Sequence, residues 1–388
     1  MTAMGITTAE TAAVRPLASS PISLFLMINT LETGGSERQF TLLAQNIAPA
    51  AFQLHLGCVN RRGVLADQLG CVPQFPLGGS LFGWKSLLAR FKLSRHLRSK
   101  HVLVAHAFDF YANLTLIPAA RLARVPVIIG SHRQLGDLIT PAQFRAQAAT
   151  FRWCDAVACN SEAAADRLHE AGVPREKLVI IGNALPPEAF QTSLPALPPR
   201  PGVLRVGMVA RMNADYKNHA GFLRIAVQIH QRMPDVEFLL VGDGPLRPAL
   251  QQQAASLDLG GRVLFLGERR DIPQVLASMN VAVLTSDSES LSNAILEAMA
   301  ASLPVVAYNV GGNAELVNDE RGALITPKNE NDFANAIYRL LSDSHLREQQ
   351  GIRARRFVEA KFSLDQTRRR YEDLYRNLLE KKRGKLPA

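Results

Sequence analysis

The amino-acid sequence predicts an α/β protein of two tandem domains, each built on a doubly wound parallel sheet. Strand-length apolar runs alternate with helical stretches along nearly the whole chain, which is typical of a parallel sheet covered by helices. The alternation stops once, at a proline-rich segment near the middle, and then restarts. A length of 388 residues and a hydrophobic fraction of 47% are enough for two ordinary cores.

The first domain is predicted to span residues 21–185. Residues 1–20 show no periodicity and no basic start to an apolar core, so we expect a disordered lead-in rather than a signal peptide. A helix is expected over 36–47, directly after the first strand. No apolar run approaches the roughly 20 residues that a membrane span requires. The runs that we interpret as strands of this domain are 22–28, 54–59, 102–105, 125–129, 156–159 and 178–181.

The proline-rich segment LPPEAFQTSLPALPPRPG continues neither a helix nor a sheet, so we interpret residues 186–202 as the interdomain linker. The second domain is expected over 203–363. A final amphipathic helix, 364–380, opens a C-terminal unit, 364–388, that ends in a basic tail. The strands expected in the second domain are 204–209, 236–241, 263–266, 281–284, 305–307 and 323–325.

Basic residues outnumber acidic ones by 44 to 34, and they cluster. Residues 85–100 contain six Lys or Arg and no acid. Nucleic acid is not expected as a partner, because no recognised nucleic-acid module accompanies the charge. Two interpretations stay open: a helix that docks on an anionic membrane surface, or an ordinary amphipathic helix buried against the sheet. The apolar side chains beside this basic cluster are Leu81, Phe82, Trp84, Leu87, Leu88 and Phe91.

The stretch 285–316, TSDSESLSNAILEAMAASLPVVAYNVGGNAEL, combines two carboxylates, a helix start and a glycine turn. A helix is expected to begin near 290–292, and its first N–H groups form a phosphate site because they lack backbone partners. Glu289 lies just outside that site, and Glu297 lies two helical turns further on. The two carboxylates therefore suit the ends of an elongated ligand such as a nucleoside diphosphate-sugar. The alternative for both is a solvated surface carboxylate.

The Glu-x7-Glu pattern of Glu289 and Glu297, followed by AMA, LPVV and GGNAEL, resembles the signature of the retaining nucleotide-sugar glycosyltransferases of family 4. The resemblance implies the GT-B architecture, in which two Rossmann-like domains face a cleft. It also implies that Glu289 contacts the transferred sugar and Glu297 the ribose. The three residues after Glu289 depart from the family's usual Gly and aromatic or Pro, which leaves the sugar open. The donor-binding residues implied between the two carboxylates are Ser290, Leu291, Ser292 and Asn293.

The loop after the first strand of the second domain carries a basic pair, Arg211 and Lys217, that resembles the family's pyrophosphate-binding cations. Fixed cations stabilise the charge that builds up on a leaving nucleoside diphosphate without a metal. Gly207 precedes this loop, and Arg269 in a later loop is expected near the phosphates. The alternative is a set of surface cations.

In the first domain, Gly34 and Gly35 in the loop TLETGGSE resemble the family's glycine loop, which approaches the ligand closely. His106 follows a predicted strand and matches a histidine that contacts the donor sugar near the reacting carbon. His132 matches a second cleft histidine. The alternatives are tight-turn glycines and histidines with structural hydrogen bonds.

We therefore expect a metal-independent retaining glycosyltransferase. It moves a hexose from a nucleotide-sugar, with UDP as the expected nucleotide, to a saccharide or lipid-linked acceptor in cell-surface polysaccharide or glycolipid synthesis. No cofactor other than the donor substrate and no metal ligands are expected, since no Asp-x-Asp motif is present. The four cysteines lack metal-site or disulfide spacing, which favours a cytoplasmic protein that works at the inner membrane face if the basic helix docks there.

Two other functions stay open. A nucleotide-sugar 2-epimerase shares the architecture and needs no acceptor, but it requires additional acid/base carboxylates. A non-catalytic nucleotide-sugar-binding protein would be expected to lack Glu289, Arg211 or Lys217, and all three are present. A Ser-His-Asp hydrolase is excluded, because the chain has no Gly-x-Ser-x-Gly.

Overall fold

The computed structural model describes residues 20–81, 83–257, 259 and 261–384, and these residues form two six-stranded sheets with helices around them. The predicted fold class is confirmed. The expected lead-in at 1–19, Phe82 and the last tail residues, 385–388, lie outside the described residues.

All neighbouring strands of the first sheet run parallel. The sheet consists of β1 (Ile22–Ile28), β2 (Phe52–Cys58), β3 (Val104–Ala107), β4 (Val127–His132), β5 (Ala156–Cys159) and β6 (Leu178–Ile180). Its strand order is β2-β1-β3-β4-β5-β6, so the chain reverses its direction of travel across the sheet at β1 and β3. Ligands of open α/β sheets bind beside such a switch point.

The second sheet has a different strand order, and its neighbouring strands are also parallel. It consists of β7 (Arg205–Val209), β8 (Glu237–Val241), β9 (Val263–Gly267), β10 (Val281–Leu284), β11 (Val305–Tyr308) and β12 (Gly322–Ile325). The order β12-β11-β10-β7-β8-β9 places its switch point between β7 and β10. The loops after these two strands carry the predicted donor residues.

The helices connect successive strands and cover both sheets. In the first half they are α1 (Gly35–Asn46), α2 (Trp84–Ser99), α3 (Phe110–Ala123), α4 (Pro141–Thr150) and α5 (Glu162–Glu170). In the second half they are α6 (His219–Arg232), α7 (Arg247–Ser256), α8 (Ile272–Leu276), α9 (Asn293–Ala300), α10 (Asn313–Leu316), α11 (Glu330–Ser342), α12 (Ser344–Phe362) and α13 (Leu364–Arg383).

β1 shows why the strands are continuous apolar runs. Phe25 and Met27 enter the core on one face of the sheet, whereas Leu24, Leu26 and Ile28 enter the core on the other. All five side chains are fully buried. A strand covered on both faces has no polar face, so its sequence shows no alternation.

The chain passes between the two halves twice, and the two passages are tied together. The Leu364 N–H donates to the Leu185 carbonyl oxygen at 3.0 Å, and the Leu185 N–H donates to Phe362 at 2.8 Å. Beyond this point α13 returns to the first sheet, where Tyr371 and Tyr375 are buried. α13 therefore follows the second half in sequence but packs in the core of the first half.

α2 packs on the first core through Leu93 and Leu97, and its other face is open. Trp84 is 70% exposed and Phe91 is 51% exposed, and Leu88 is exposed as well. The interpretation of these three side chains as buried against the sheet is therefore wrong. α2 lies beside α3 and covers the sheet only with the face that carries Leu93 and Leu97.

Candidate active site

The carboxyl ends of strands from both sheets border one cleft of about 480 Å³. The first half contributes the loop 33–38 and residues 133–135 to its wall. The second half contributes 209–211, 216–217 and 288–294. Most of the predicted site residues line this cleft: Gly34, Gly35, Arg211, Lys217, Arg269, Glu289, Ser290, Leu291, Ser292, Asn293 and Glu297.

The position of Glu289 depends on the glycine pair of the GGNAEL stretch. The Gly312 N–H donates to the Glu289 carbonyl oxygen at 3.1 Å. A Cβ at Gly311 would lie 1.9 Å from that same oxygen, and a Cβ at Gly312 would lie 1.9 Å from the Ser290 carbonyl oxygen. Side chains at these positions would push the loop away, so the two glycines hold the Glu289 backbone in place.

Lys217 and Glu289 form a salt bridge across the cleft floor, with 2.6 Å between Nζ and Oε1. Their side chains are only 19% and 10% exposed. Arg211 is exposed in the same cleft, and no carboxylate among the described residues forms a salt bridge with it. The cleft therefore holds a paired and an unpaired cation close to the start of α9.

α9 begins where the sequence predicts, with Ser292 as its N-cap. The Ser292 hydroxyl accepts the Ile295 N–H at 3.4 Å, while the first N–H groups of the helix remain without intrahelical partners. Asn293 and Ala294 of this first turn line the cleft. Gly35 lies opposite this turn, and a Cβ at Gly35 would be 3.1 Å from the side-chain nitrogen of Asn293. The absence of a side chain at Gly35 lets the glycine loop approach the helix start.

Two asparagines of the first half hold the loop before α9. Asn183 donates to the Leu291 carbonyl oxygen at 3.2 Å and to the Asn293 side chain at 2.7 Å. The Ser290 hydroxyl donates to the Asn160 side chain at 2.5 Å. The hydroxyl of Ser290 is therefore occupied by a contact between the two halves.

Glu297 faces Arg38 of α1 across the cleft, with 3.6 Å between Oε1 and Nη1. Burial raises the pKa of the Glu297 carboxyl, and the charge of Arg38 opposes this shift. Arg38 is therefore the partner of the carboxylate that the family resemblance assigns to ribose. Arg269 is engaged locally, because its guanidinium donates two bonds to Asp271 at 2.8 and 2.5 Å.

The structure corrects the expected position of His106. Its side chain is fully buried on the α13 side of the sheet, with Nδ1 2.8 Å from the Tyr375 hydroxyl and Nε2 2.8 Å from the Ser131 hydroxyl. Burial, with Arg133 nearby, lowers the pKa of His106 to about 3. His106 is a residue of β3, so its side chain packs on a face of the sheet. It does not reach the cleft beyond the end of the strand.

His132 and Gly207 are also corrected. His132 ends β4 and is buried between Phe144 and Phe151, at ring distances of 5.7 and 6.5 Å. Gly207 lies inside β7, where a Cβ would be 2.2 Å from the sulfur of Met279. It leaves room for a core methionine and does not line the cleft.

The buried histidines predict a stability loss in acid. Burial lowers the pKa of His132 to about 4, below the roughly 6.5 of an unfolded histidine. The unfolded chain therefore takes up the proton first, so this stability is present above pH 6.5 and is lost as pH falls. Between pH 7 and pH 5 we expect His132 to cost about 2 kcal/mol of unfolding free energy. Asp109 opposes part of the total change, because burial raises its pKa to about 6.

Urea unfolding at pH 7 and pH 5 measures this effect. His132→Phe should reduce the pH-dependent loss by about 2 kcal/mol. His345→Gln, at an exposed position in α12, should leave the loss as it is in the unchanged protein. An equal loss in His132→Phe and the unchanged protein would show that His132 is not held neutral.

Several cleft residues were not predicted from the sequence, among them Glu37, Arg38 and Arg133. Glu37 and Arg38 lie in the first turns of α1, and Arg133 directly follows His132 at the end of β4. The Arg133 guanidinium donates to Asn183 at 2.5 Å and lies 5.7 Å from the Phe108 ring. The signal for Arg133 was its place one residue beyond a strand, where a side chain leaves the sheet.

Two family models match the chain. Residues 33–189 match Glycosyltransferase Family 4, and residues 203–343 match Glycosyl transferases group 1.

Curated relatives are similar over part or most of the chain. The lipopolysaccharide core biosynthesis glycosyltransferase LpsE of Rhizobium meliloti (strain 1021) is 30% identical over 255 residues, 64% of this chain and 69% of LpsE. The UDP-Gal:alpha-D-GlcNAc-diphosphoundecaprenol alpha-1,3-galactosyltransferase of Escherichia coli is 29% identical over 68% of this chain and 71% of that enzyme. The alpha-D-kanosaminyltransferase of Streptomyces kanamyceticus is 32% identical, but the match spans only 46% of each chain.

Solved structures show the same fold. HepE of Anabaena, crystallised with UDP, superposes with a TM-score of 0.81 at 22% identity, over 92% of this chain and all of that one. Sucrose-phosphate synthase of Thermosynechococcus elongatus superposes with a TM-score of 0.75 at 21% identity, over 93% of this chain and all of that one.

Proposed function

Because this chain belongs to glycosyltransferase family 4, we propose that it transfers a hexose from a UDP-sugar to a saccharide or lipid-linked acceptor in cell-surface polysaccharide or glycolipid synthesis. The observation that carries the proposal is the Lys217–Glu289 pair beside the first turn of α9, with Arg211 in the same cleft. Three relatives support it: a lipopolysaccharide core enzyme, a galactosyltransferase named for UDP-Gal, and HepE crystallised with UDP.

In this proposal the donor lies along the start of α9. The diphosphate meets the first-turn N–H groups together with Arg211 and Lys217, whereas the other arginines of the cleft, Arg38, Arg133 and Arg269, are engaged by Glu297, Asn183 and Asp271. Glu297 accepts hydrogen bonds from the ribose, and Glu289 accepts a hydrogen bond from the hexose. Donor binding replaces the salt bridges of Glu289 with Lys217 and of Glu297 with Arg38.

The acceptor oxygen forms a bond to C1 of the hexose while the bond from C1 to the diphosphate oxygen breaks. The electron pair leaves with UDP, and the acceptor hydroxyl loses its proton to the departing diphosphate. Negative charge builds up on the diphosphate, where Arg211 and Lys217 stabilise it. We propose retention of configuration from the family alone.

Activity is expected to survive excess EDTA, because the two cations supply the charge that a divalent metal supplies in other glycosyltransferases. UDP release should be compared before and after chelation, and again after adding back metal. A loss that Mg²⁺ or Mn²⁺ restores would contradict metal independence.

Measuring UDP release with and without a saccharide acceptor tests the proposed function. A glycosyltransferase should release UDP faster when its acceptor is present. A nucleotide-sugar epimerase would leave an epimeric sugar on UDP, and a binding protein would leave the donor unchanged, so in neither case would the acceptor speed the release of UDP. Either of these results would contradict the proposal.

The open face of α2 supports a second part of the proposal, that the enzyme docks on an anionic membrane. Trp84, Leu87, Leu88 and Phe91 are exposed on this face. Residues 85–100, which cover all of this helix except Trp84, contain six Lys or Arg and no acid. Such a surface combines shallow apolar insertion with attraction to anionic lipid, worth roughly 1 kcal/mol per cation.

Not all cations of α2 face outward. Lys92 and Arg95 are exposed. Arg90 turns inward, where it donates to the Leu114 and Leu81 carbonyl oxygens at 3.0 Å each. The first acid after α2 in the chain, Asp109, is the half-buried N-cap of α3. Within the described residues no helix is long and apolar enough to cross a bilayer.

We expect the protein to sediment with vesicles of anionic lipid at low salt, but not with neutral vesicles. The double charge reversal Lys92→Glu and Arg95→Glu should abolish binding, because it replaces two attractive charges with two repulsive ones. Salt should weaken the binding of the unchanged protein.

The matched control reverses two exposed arginines of α12, Arg353→Glu and Arg356→Glu. It changes the net charge equally, so it should retain vesicle binding if α2 is the docking surface. Protein that stays in the supernatant with anionic vesicles at low salt would contradict membrane docking and favour a soluble acceptor.

A further inference from the structure

A second cavity of about 190 Å³ opens from the main cleft on the side of the first half. Glu37, Arg133 and Gln134 line both spaces, so the side crevice and the cleft are continuous. Liquid water occupies about 30 Å³ per molecule, so the crevice holds roughly six waters. That is the scale of one sugar ring, and it is too small for a second nucleotide.

Glu37 stands at the junction of the two spaces. The Glu37 carboxylate packs directly against Gly34, since a Cβ at Gly34 would lie 1.9 Å from the Oε2 atom of Glu37. Burial raises the pKa of the Glu37 carboxyl, and the charge of Arg211 opposes the rise. No Lys, Arg or His of the described residues forms a salt bridge with Glu37. The Thr30 side chain and the Glu37 backbone N–H are hydrogen-bond partners of the carboxylate, and because a carboxylate has about four acceptor positions it retains capacity for a ligand.

An aromatic ring and a buried amide complete the wall. Tyr111, in the first turn of α3, is 41% exposed at the rim, and the Phe110 ring supports it edge-on at 5.1 Å. Gln147 lines the crevice and is 1% exposed, and its side chain interacts with the neighbouring His132 ring. A flat aromatic face with hydrogen-bonding groups around it suits a ring that has both C–H faces and hydroxyls.

The charges of the crevice disfavour an anionic ligand. Glu37 and Asp109 both line it, and Arg133 is the one Lys or Arg in its described lining. The Arg133 guanidinium is already held by the Asn183 and Tyr371 side chains, at 2.5 and 3.3 Å. In the proposed complex the donor diphosphate engages Arg211, so a carboxylate on the ligand would meet Glu37 without a free cation in the crevice to offset it.

We propose that the side crevice is the subsite for the acceptor sugar, and that it takes an uncharged pyranose. Tyr111 packs against the ring, and Glu37 accepts a hydrogen bond from a hydroxyl that faces the donor. This inference rests on the proposed glycosyl transfer. The pyranose is a free saccharide or the terminal sugar of a lipid-linked one, since both present the same ring.

Saturation-transfer NMR of the full chain with UDP present tests this subsite. The probes are the methyl glycosides of glucose, galactose, mannose and N-acetylglucosamine. At least one should give ring signals with the unchanged protein, and Tyr111→Ala should reduce those signals at least several-fold. Trp153→Ala, which removes an exposed aromatic ring outside the crevice, should leave them unchanged. Absence of signal from all four probes, or equal signal in Tyr111→Ala, would overturn the proposal.

Charge selectivity is the second readout. Methyl glucuronide should bind more weakly than methyl glucoside, and Glu37→Gln should narrow that difference. A preference of the unchanged protein for the glucuronide would overturn the assignment to an uncharged sugar. The octyl glycoside of the bound sugar distinguishes a lipid-linked acceptor from a free saccharide. Tighter binding of the octyl glycoside than of the methyl glycoside supports a lipid-linked acceptor, and equal affinity supports a free saccharide.

A UDP thermal shift distinguishes the failure of this subsite from the failure of the proposed function. If UDP does not stabilise the unchanged protein, the glycosyl-transfer proposal itself fails. The other result is that UDP stabilises both the unchanged protein and Tyr111→Ala while no glycoside signal is reduced by Tyr111→Ala. That result refutes only the acceptor subsite.

Discussion

Replacing Lys217 with alanine is expected to lower the turnover of hexose transfer by about 10²- to 10³-fold, or about 2.7–4 kcal/mol of transition-state stabilisation. Lys217 lies in the cleft with its ammonium 2.6 Å from Glu289, beside the first turn of α9. The charge on departing UDP is larger in the transition state than in the bound donor, so the loss falls mainly on turnover.

Turnover should be measured at saturating donor, together with the melting temperature without ligand. Lys361→Ala removes an exposed lysine of α12 and should leave turnover unchanged. Arg211→Ala should resemble Lys217→Ala in turnover without leaving a buried carboxylate unpaired. Full turnover in both cleft variants would refute the assignment of these cations to the diphosphate.

Gly311→Ala is expected to have the largest combined effect on stability and activity. Gly311 has a φ of +48°, which costs an L-residue about 1–2 kcal/mol, and the new Cβ would lie 1.9 Å from the Glu289 carbonyl oxygen. Relief of that contact adds about 1–3 kcal/mol. The shift moves Glu289, and a displacement of about 1 Å can lower turnover about 10²-fold.

The control is Gly172→Ala. Gly172 has a φ of +86°, but a Cβ there would meet nothing within 4 Å. Urea unfolding should show only the conformational cost of about 1–2 kcal/mol in this variant, with normal turnover. Equal losses in both variants would mean that Gly311 matters for its backbone angle and not for holding Glu289.

The central strands of the sheets were predictable because they are buried on both faces, which makes each of them visible as a continuous apolar run. Ser292 was predictable as a helix start for a local reason, since its hydroxyl caps a chain segment only three residues away. In both cases the physical cause lies within a few residues.

The direction of the two histidines was not predictable from position alone. His106 is one residue before the end of β3, and His132 is the last residue of β4. Successive side chains of a strand point to opposite faces of the sheet. An error of one residue in the predicted strand end therefore changes the predicted position of a side chain from the core to the cleft. The same uncertainty concealed Arg133, which is one residue further on and reaches the cleft.

Contacts between the two halves were outside the reach of the sequence. Arg38 and Glu297 belong to different sheets, and no local pattern pairs them. The exposed face of α2 is a similar case, because the packing beside α3 decides which of its apolar side chains are covered.

The most direct test of the account is a transfer reaction with UDP-hexose labelled with ¹³C in the sugar and the acceptor identified by the release assay. Mass spectrometry and ¹H NMR of the product are measured together. The account predicts an acceptor heavier by one labelled hexose, joined through the same anomeric configuration as the donor. A labelled sugar that remains on UDP, appears as an epimer, or is joined with inverted configuration would contradict it.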